Sequence, residues 1–196
     1  MTVNTLRIDR LRPTQMTHGE RQIRQKIAAY RALSGHDLDM AIAEKPIAIV
    51  LGPRDEPFVI DHHHVACALS RIGVKEAPFV LVRDLSALSH ADFWLTLENR
   101  AWTYPFDADG RRMPFRDMPA HICDAVDDDF RSLAAFVRDA GGYDKTDVPL
   151  ADFRWAELFR AHFPRPRDDA QFDALLTRAF DLARSDAAAG LPGFIG

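Results

Sequence analysis

The stretch that decides the fold is Phe58-Val59-Ile60-Asp61-His62-His63-His64-Val65-Ala66-Cys67-Ala68-Leu69, which runs from an apolar segment into an amphipathic one. Phe58–Ile60 is short, apolar and β-branched at two positions, which is typical of the end of a strand. Val65 and Leu69 then recur at helical spacing, and Gly73 is expected to end the helix as its C′ residue. An acid and three imidazoles therefore lie at a strand-to-helix junction.

This junction predicts a binding site for an anion. With Asp61 at the N-cap, its carboxylate is expected to accept backbone N–H bonds from His63 or His64. The other first-turn amides and the positive end of the helix dipole would then face outward, where a phosphate group fits. Consecutive helical residues point about 100° apart, so a metal site made only of histidines is not favoured. The alternative is a capped, buried helix that carries surface histidines.

Composition limits the classes of function. With 196 residues the chain can bury one core, with or without a helical extension, and its net charge of −4 gives no broad positive field for nucleic acid. No apolar stretch approaches the ~20 residues that cross a bilayer. The amino terminus lacks the pattern of a secretion signal, so a cytoplasmic location is expected. Cys67 and Cys123 predict no disulfide framework and are typical of small buried hydrophobes.

Hydrophobic periodicity predicts an α/β core in residues 1–85. A first strand is expected within Thr5–Leu11. Nearly continuous apolar runs at Pro46–Leu51 and Pro78–Val82 predict further strands that are buried on both faces. Together with the strand that ends at Ile60, they predict a compact mixed sheet.

From Ser86 onward the period is almost entirely helical, which predicts an extension over residues 86–196. Four helices are expected there, over Ser89–Asn99, from Asp127–Asp129 to Gly141-Gly142, around Leu150–Phe163 and around Ala170–Ala188. Their apolar stripes are typical of helices that pack on a core. The predicted fold class is therefore α+β, a small mixed-sheet core with a mainly helical C-terminal extension packed on it.

The junction resembles the ParB/sulfiredoxin fold, whose signature at this position reads roughly Asp-Gly-His-His-Arg. The whole chain is similar to the ParB-like nuclease family. The segments that carry this closer match are Arg12-Pro13-Thr14-Gln15, Leu51-Gly52-Pro53, Ile60-Asp61-His62-His63-His64, Asp84-Leu85-Ser86, Asp127-Asp128-Asp129-Phe130-Arg131-Ser132-Leu133-Ala134, Gly141-Gly142-Tyr143-Asp144-Lys145, Phe153-Arg154-Trp155-Ala156 and Leu191-Pro192-Gly193. The resemblance implies a ParB/sulfiredoxin-like core.

The resemblance also implies nucleotide chemistry, because proteins of this superfamily bind ATP, ADP or CTP with the phosphates over the helix that starts at the His-His pair. They include sulfiredoxins, CTP-hydrolysing partition proteins and free serine kinases. His63 stands where sulfiredoxin has its reactive cysteine, which excludes sulfiredoxin chemistry. Val65 replaces the signature arginine, so a bidentate phosphate clamp is missing unless another arginine supplies it, and the candidates are Arg24, Arg131 and Arg154. His62 replaces the usual glycine, which restricts close approach of the backbone.

The resemblance implies candidate residues for each role. Asp61, His63 and Glu20 are the catalytic candidates, and Asp61 is also the candidate ligand for Mg²⁺. The candidates for binding phosphate or nucleotide are His62, His63, His64, Gln15, Lys26, Arg131, Lys145 and Arg154. Glu20 would act as the base that serine kinases of this fold take from their amino-terminal segment. The pattern Thr17-His18-Gly19-Glu20 alternatively predicts a capping box, in which Glu20 has a structural role.

Three functions fit these expectations. The first is phosphoryl transfer or nucleotide hydrolysis with Mg²⁺, ATP, ADP or CTP and a small hydroxylated substrate. The second is a metal-dependent DNA nuclease on the same scaffold, and the third is a non-catalytic nucleotide-binding module. Specific DNA binding is not expected, because the carboxyl half is acidic and shows no helix-turn-helix pattern. The manganese phosphoesterases named for Asp-His-His need further aspartate motifs, for which Asp37-Leu38-Asp39 is a poor substitute. The oligomeric state is not predicted.

Overall fold

The computed structural model describes residues 4–196, which form six strands and seven α-helices within that range. In chain order these are β1 (Thr5–Arg7), β2 (Thr17–His18), α1 (Glu20–Arg31), α2 (Gly35–Ala43), β3 (Ile47–Gly52), β4 (Glu56–Val59), α3 (His63–Arg71), β5 (Glu76–Asp84), α4 (His90–Asn99), β6 (Val126–Asp127), α5 (Asp129–Asp139), α6 (Ala151–His162) and α7 (Asp169–Ala183). Residues 1–3 of the predicted core lie outside the described part of the chain. Across residues 4–196 no helix is long and apolar enough to span a membrane.

The core is a mixed four-stranded sheet in the order β1-β5-β3-β4. β5 runs parallel to β3, while β1 and β4 are antiparallel to their neighbours. The first strand is shorter than predicted, because the chain turns into a 3₁₀ helix at Ile8–Arg10. The expectation that Pro78–Val82 is buried on both faces is wrong beyond Phe79: β1 pairs only with Glu76–Pro78, and Val80–Val82 are exposed.

Helices cover both faces of this sheet. Successive residues of a strand point to opposite faces, and in β3 Ile49 belongs to the apolar cluster beneath α1 and α3. Its neighbour Val50 packs instead with Phe93 and Leu97 of α4. Ser89 caps α4 by accepting a hydrogen bond from the Asp92 amide, as predicted. The sheet is therefore the middle layer of the core.

The extension has its own apolar cluster, built by α5, α6 and α7 around Trp155. Trp155 is fully buried, and its Nε1 donates to the carbonyl oxygen of Pro192 at 2.8 Å. The last residues of the chain are thus tied to the middle of the extension. The predicted α+β class is confirmed, with a small mixed-sheet core and a mainly helical C-terminal extension packed on it.

Residues 11–19 connect the core to the extension through backbone hydrogen bonds on both sides. On the core side, the Val59 amide donates to Arg12 O at 2.8 Å. On the extension side, the Tyr104 amide donates to Thr14 O at 2.9 Å, and the Asp128 amide donates to His18 O at 2.8 Å. Because of these bonds, side chains of this segment have fixed positions between the two parts.

The two cysteines form a disulfide, so the expectation of two unpaired buried thiols is wrong. Cys67 lies on α3, and Cys123 lies 56 residues later, shortly before β6. Their Cα atoms are 5.1 Å apart, which is within the usual range for a disulfide. The bond ties the helix of the fold-deciding stretch to the segment that leads into α5.

Candidate functional site

A cleft of about 950 Å³ lies between the core and the extension. Its walls are the start of α3, one side of α1, the connecting segment and the loop that joins α5 to α6. Eight of the predicted site residues line it, namely Gln15, Lys26, Asp61, His62, His63, His64, Arg131 and Lys145. Glu20 and Arg154 do not line it, and Arg154 is exposed on α6.

The start of α3 differs from the prediction in one respect. His62, not Asp61, is the N-cap, and it has a left-handed backbone with φ of 65°. Asp61 is exposed, and its Oδ1 accepts a hydrogen bond from the His62 amide at 2.7 Å rather than from the amides of the first turn. The reason is the tight reversal between β4 and α3, which needs a positive φ at residue 62. That requirement explains the glycine at this position in the family signature.

The amides at the start of α3 remain open. The first backbone bond within α3 runs from the Ala66 amide to His62 O at 3.0 Å. Among residues 4–196, no side chain caps this helix and no acid lies in its first turn. The N–H groups of His63 and His64, which line the cleft, are therefore available to an anion at the positive end of the helix dipole.

His63 is buried and fixed in one tautomer. Its Nε2 accepts a hydrogen bond from the Thr14 amide at 3.1 Å, so the neutral ring carries its proton on Nδ1. That Nδ1 is buried and has no partner among the described residues. Burial, with the nearby positive charge of Arg131, lowers the pKa of His63 to about 3. His63 is therefore a neutral hydrogen-bond donor at the wall of the cleft.

His64 lies close to two of the predicted cations. Burial lowers its pKa well below the ordinary value, and the positive charges of Arg131, His62 and Lys26 act in the same direction. His64 is therefore also neutral at pH 7. The three consecutive histidines have different partners. The ring of His62 contacts the core, with Nδ1 2.8 Å from the carbonyl oxygen of Pro46.

Arg131 lies on α5, lines the cleft and is largely buried. Its Nη1 lies 3.1 Å from Asp152 Oδ2, and its guanidinium lies 4.9 Å from the ring centre of Phe153. Arg138 also contacts Asp152 Oδ2, at 2.5 Å. Although burial opposes ionisation, these two arginines hold the pKa of Asp152 below its ordinary value. Arg138 also pairs with Asp139, with Nη2 3.0 Å from Oδ1, so the two arginines and the two carboxylates on this side of the cleft balance in charge.

Lys26 and Lys45 form a second group of cations in the lining of the cleft. Burial, together with the adjacent ammonium group of Lys45, lowers the pKa of Lys26. Both lysines line the cleft, and no ion pair is formed by either within residues 4–196. Two ammonium groups side by side repel each other, and a bound anion would relieve that repulsion.

Glu20 lies behind the cleft wall rather than in it. The predicted capping box is wrong: Gly19 is the N-cap of α1, and the Glu20 amide donates to Asp127 Oδ1 at 2.8 Å. The Glu20 carboxylate accepts from Arg71 at 2.6 Å, and its other oxygen lies 3.4 Å from Nε2 of His18. Although burial opposes ionisation, Arg71 and Arg24 hold the pKa of Glu20 below its ordinary value.

Several residues that line the cleft had no signal in the sequence. They are His18, Lys45, Trp102, Arg138 and Asp152. The closer family match included Tyr143, which is also part of the lining. Of the arginines considered as a substitute for the signature arginine, Arg131 lines the cleft, whereas Arg24 is exposed and paired with Glu20.

Asp61 could supply one carboxylate ligand to a Mg²⁺ ion whose other ligands come mainly from the phosphate groups of a bound molecule. Within residues 4–196 no group of three or more histidine, cysteine or acidic side chains is arranged to hold a metal ion. Mg²⁺ in phosphoryl-transfer sites commonly uses one or two carboxylates together with phosphate oxygens and water. Asp61 Oδ1 already accepts from the His62 amide, so Oδ2 is the oxygen available for such an ion.

The mixed sheet, the strand-to-helix junction and the open helix terminus define a protein with a ParB/sulfiredoxin-like core. A family model described as "Putative ParB-like nuclease" matches residues 4–161. The chain therefore belongs to the ParB-like nuclease family, as the sequence motifs predict. No curated protein matches this chain.

A solved structure matches over the whole length of the chain. It is the crystal structure of the protein Atu1540 from Agrobacterium tumefaciens, which is 37% identical with a TM-score of 0.89. The match covers 100% of this chain and 99% of that one. The helical extension is therefore part of the fold that the two chains have in common.

Proposed function

We propose that the cleft binds the phosphate groups of a nucleotide and that the protein transfers or hydrolyses a phosphoryl group, with a small hydroxylated molecule as the acceptor. ATP, ADP and CTP are the candidate nucleotides. The observation that carries this proposal is the uncapped start of α3, whose open amides face a cleft that also contains the buried, unpartnered Nδ1 of His63.

In this proposal each group of the cleft has a binding role. The amides of His63 and His64 and the Nδ1–H of His63 donate hydrogen bonds to phosphate oxygens. Lys26, Lys45 and Arg131 neutralise their charge. A Mg²⁺ ion, when bound to Asp61 and the phosphates, would supply further neutralisation of the charge that develops during transfer.

The size of the cleft and its lining also fit a nucleotide. A volume of about 950 Å³ is at the upper end of the range for small-molecule sites. Trp102 is a half-buried residue of the lining and offers an aromatic surface for a base. Lys145 and Gln15 add polar groups at the mouth.

A thermal-shift screen with ATP, ADP and CTP, each with and without Mg²⁺, tests the proposal. A ligand at 100 times its Kd stabilises the folded state by about 2.7 kcal/mol, which corresponds to a rise in Tm of roughly 5–10 °C for a chain of this size. Nucleotides that bind are then assayed for release of the phosphoryl group in the presence of serine, glycerol or water as acceptors.

Lys26→Gln is the informative variant, and Lys75→Gln is its matched control, because Lys75 is exposed and lies outside the cleft. We expect Lys26→Gln to weaken nucleotide binding about 10-fold, as for the loss of one charge-assisted contact, with Lys75→Gln unchanged. Absence of any shift with all three nucleotides contradicts the proposal. Cleavage of plasmid DNA with Mg²⁺ would favour a nuclease instead, and binding without turnover would favour a nucleotide-binding module.

A further inference from the structure

His18 is a cleft residue whose environment differs from that of the three histidines at the start of α3. It lies on β2, in the segment that connects the core to the extension, and only 7% of its surface is exposed. Its Nδ1 is buried and has no hydrogen-bond partner among the described residues. A buried polar atom without a partner is uncommon in a folded protein and needs a physical explanation.

Glu20 determines the tautomer of His18. The carboxylate is fixed by Arg71 at 2.6 Å and by Arg24 at 3.2 Å, and its Oε2 faces His18 Nε2 at 3.4 Å. An ionised carboxylate only accepts hydrogen bonds, so the proton of the neutral ring belongs on Nε2. Nδ1 then carries a lone pair. A distance of 3.4 Å is long for a hydrogen bond, but contacts of this kind often shorten when a ligand binds.

His18 and His63 both line the cleft and have opposite tautomers. The positive charge of a protonated His18 would act on His63, which places the two rings in one electrostatic environment. The Thr14 amide fixes the proton of His63 on Nδ1. Glu20 fixes the proton of His18 on Nε2, so Nδ1 of His18 carries none. The lining of the cleft therefore offers one N–H donor and one nitrogen acceptor. A phosphate oxygen suits the donor, and a hydroxyl group suits the acceptor.

From this pairing we infer that His18 is the general base that takes the proton of the hydroxyl acceptor, and that Glu20 is a positioning residue that acts through His18. The inference rests on the proposed phosphoryl transfer. It changes the expected role of Glu20, whose carboxylate is occupied by two arginines and lies outside the cleft lining.

The proposed step is balanced as follows. The O–H bond of the acceptor breaks, and its proton goes to Nδ1 of His18. The acceptor oxygen forms a bond to the terminal phosphorus of the nucleotide. The bond from that phosphorus to the bridging oxygen breaks, and the electron pair leaves with the shortened nucleotide. The imidazolium ring then returns its extra proton to water.

Two measurements test the inference. The first is ¹H–¹⁵N NMR of the imidazole rings in the ligand-free protein at neutral pH, with the His18 signal assigned by its loss in His18→Gln. We expect a protonated Nε2 and an unprotonated Nδ1. In Glu20→Gln the acceptor is weaker, so the fraction of the other tautomer should rise. A ring with a protonated Nδ1 in the wild-type protein overturns the inference, and this readout needs no turnover.

The second measurement compares nucleotide turnover and nucleotide binding in His18→Gln. Removal of a general base lowers kcat by about 10²- to 10⁴-fold, while Kd should change less than about 2-fold because phosphate binding depends on other groups. His36→Gln is the matched control, since His36 is exposed on α2 outside the cleft. A wild-type protein that turns nucleotide over, with His18→Gln equally active, refutes the role of His18. A wild-type protein that binds no nucleotide refutes the proposed function and leaves the tautomer measurement to judge the pairing.

Discussion

Replacement of Gly193 by alanine tests whether the end of the chain supports the loop that lines the cleft. Gly193 has φ of 78°, and a Cβ atom at this position would collide with the carbonyl oxygen of Asp144. In the other direction, the Asp144 amide donates to Gly193 O at 2.8 Å. Asp144 and the residues that follow it line the cleft. The substitution should therefore disturb the site from a distance.

Gly141 provides a matched control for the backbone strain. Its φ is 83°, close to that of Gly193, but a Cβ atom there meets no atom within 4 Å. Gly141→Ala should cost only the left-handed strain, about 1 kcal/mol. Gly193→Ala adds the steric collision, which costs about 1–3 kcal/mol more by analogy with overpacked cores. The difference between the two variants therefore isolates the contact with Asp144.

Urea denaturation at neutral pH measures both unfolding free energies, and calorimetric titration with the nucleotide that stabilises the wild-type protein measures binding. We expect Gly193→Ala to be less stable than Gly141→Ala by about 1–3 kcal/mol and to bind nucleotide more weakly. Equal stabilities for the two variants would show that the chain end does not press on the loop. Unchanged binding in a destabilised Gly193→Ala would show that the loop position does not matter for the ligand.

Three further outcomes are expected. Reduction of the Cys67–Cys123 disulfide, which spans 56 residues, should lower the unfolding free energy by about 4 kcal/mol in a urea titration. Thiol labelling without reductant should find no free cysteine. If it finds both cysteines free, the disulfide is contradicted. Asp128→Ala should lower the free energy of unfolding by about 3–5 kcal/mol, since Asp128 is fully buried with Oδ2 2.5 Å from Arg160. Asp168→Ala is the control, because it removes only a helix cap and should lower that free energy by about 1 kcal/mol. Equal decreases in the two variants would argue against the buried ion pair. Burial lowers the pKa of His18 below its unfolded value, so the unfolded state binds more protons and stability falls as the pH drops below about 6.5. His63 and His64, whose pKa values burial also lowers, contribute to the same part of the profile, so His18→Gln should reduce its slope rather than remove it; an unchanged slope would show that His18 is not desolvated.

Local sequence signals predicted the elements whose capping and burial are local. Ser89 caps α4 through the amide of Asp92, only three residues away, so the pattern in the sequence contains the whole interaction. Gly73 has φ of 89° directly after the C-cap of α3, as expected for a C′ glycine. The acids at Asp128 and Asp129 begin α5 for the same reason, since Asp128 Oδ1 accepts from the nearby Phe130 amide.

Signals failed where a distant residue replaced the local partner. Thr17 and Glu20 have the spacing of a capping box, but the start of α1 packs against α5, and Asp127 accepts from the Glu20 amide across 107 residues. The Glu20 side chain is then free to pair with Arg71 of α3. The cysteine pair shows the same limit, because its partners become neighbours only after the extension has folded onto the core.

The candidate site combines both cases. The strand-to-helix junction and its histidines could be predicted, since a short apolar strand followed by a helical period describes them completely. What each histidine does could not, because it depends on partners in the connecting segment and beyond. The Thr14 amide fixes the proton of His63 on Nδ1, and Glu20 fixes that of His18 on Nε2.

Thr14 lies in the connecting segment and Glu20 follows that segment directly as the first residue of α1, and the segment hydrogen-bonds to the core on one side and the extension on the other. A shift of the extension relative to the core would therefore move Thr14 and His18 together and disturb both tautomers at once. Residues 11–20 thus have a chemical role as well as a structural one, because Thr14 and Glu20 determine which nitrogen atoms of His63 and His18 donate a proton and which accept one. A binding site of this kind depends on the packing of two parts of the chain, and the three consecutive histidines are only the part of it that is visible in the sequence.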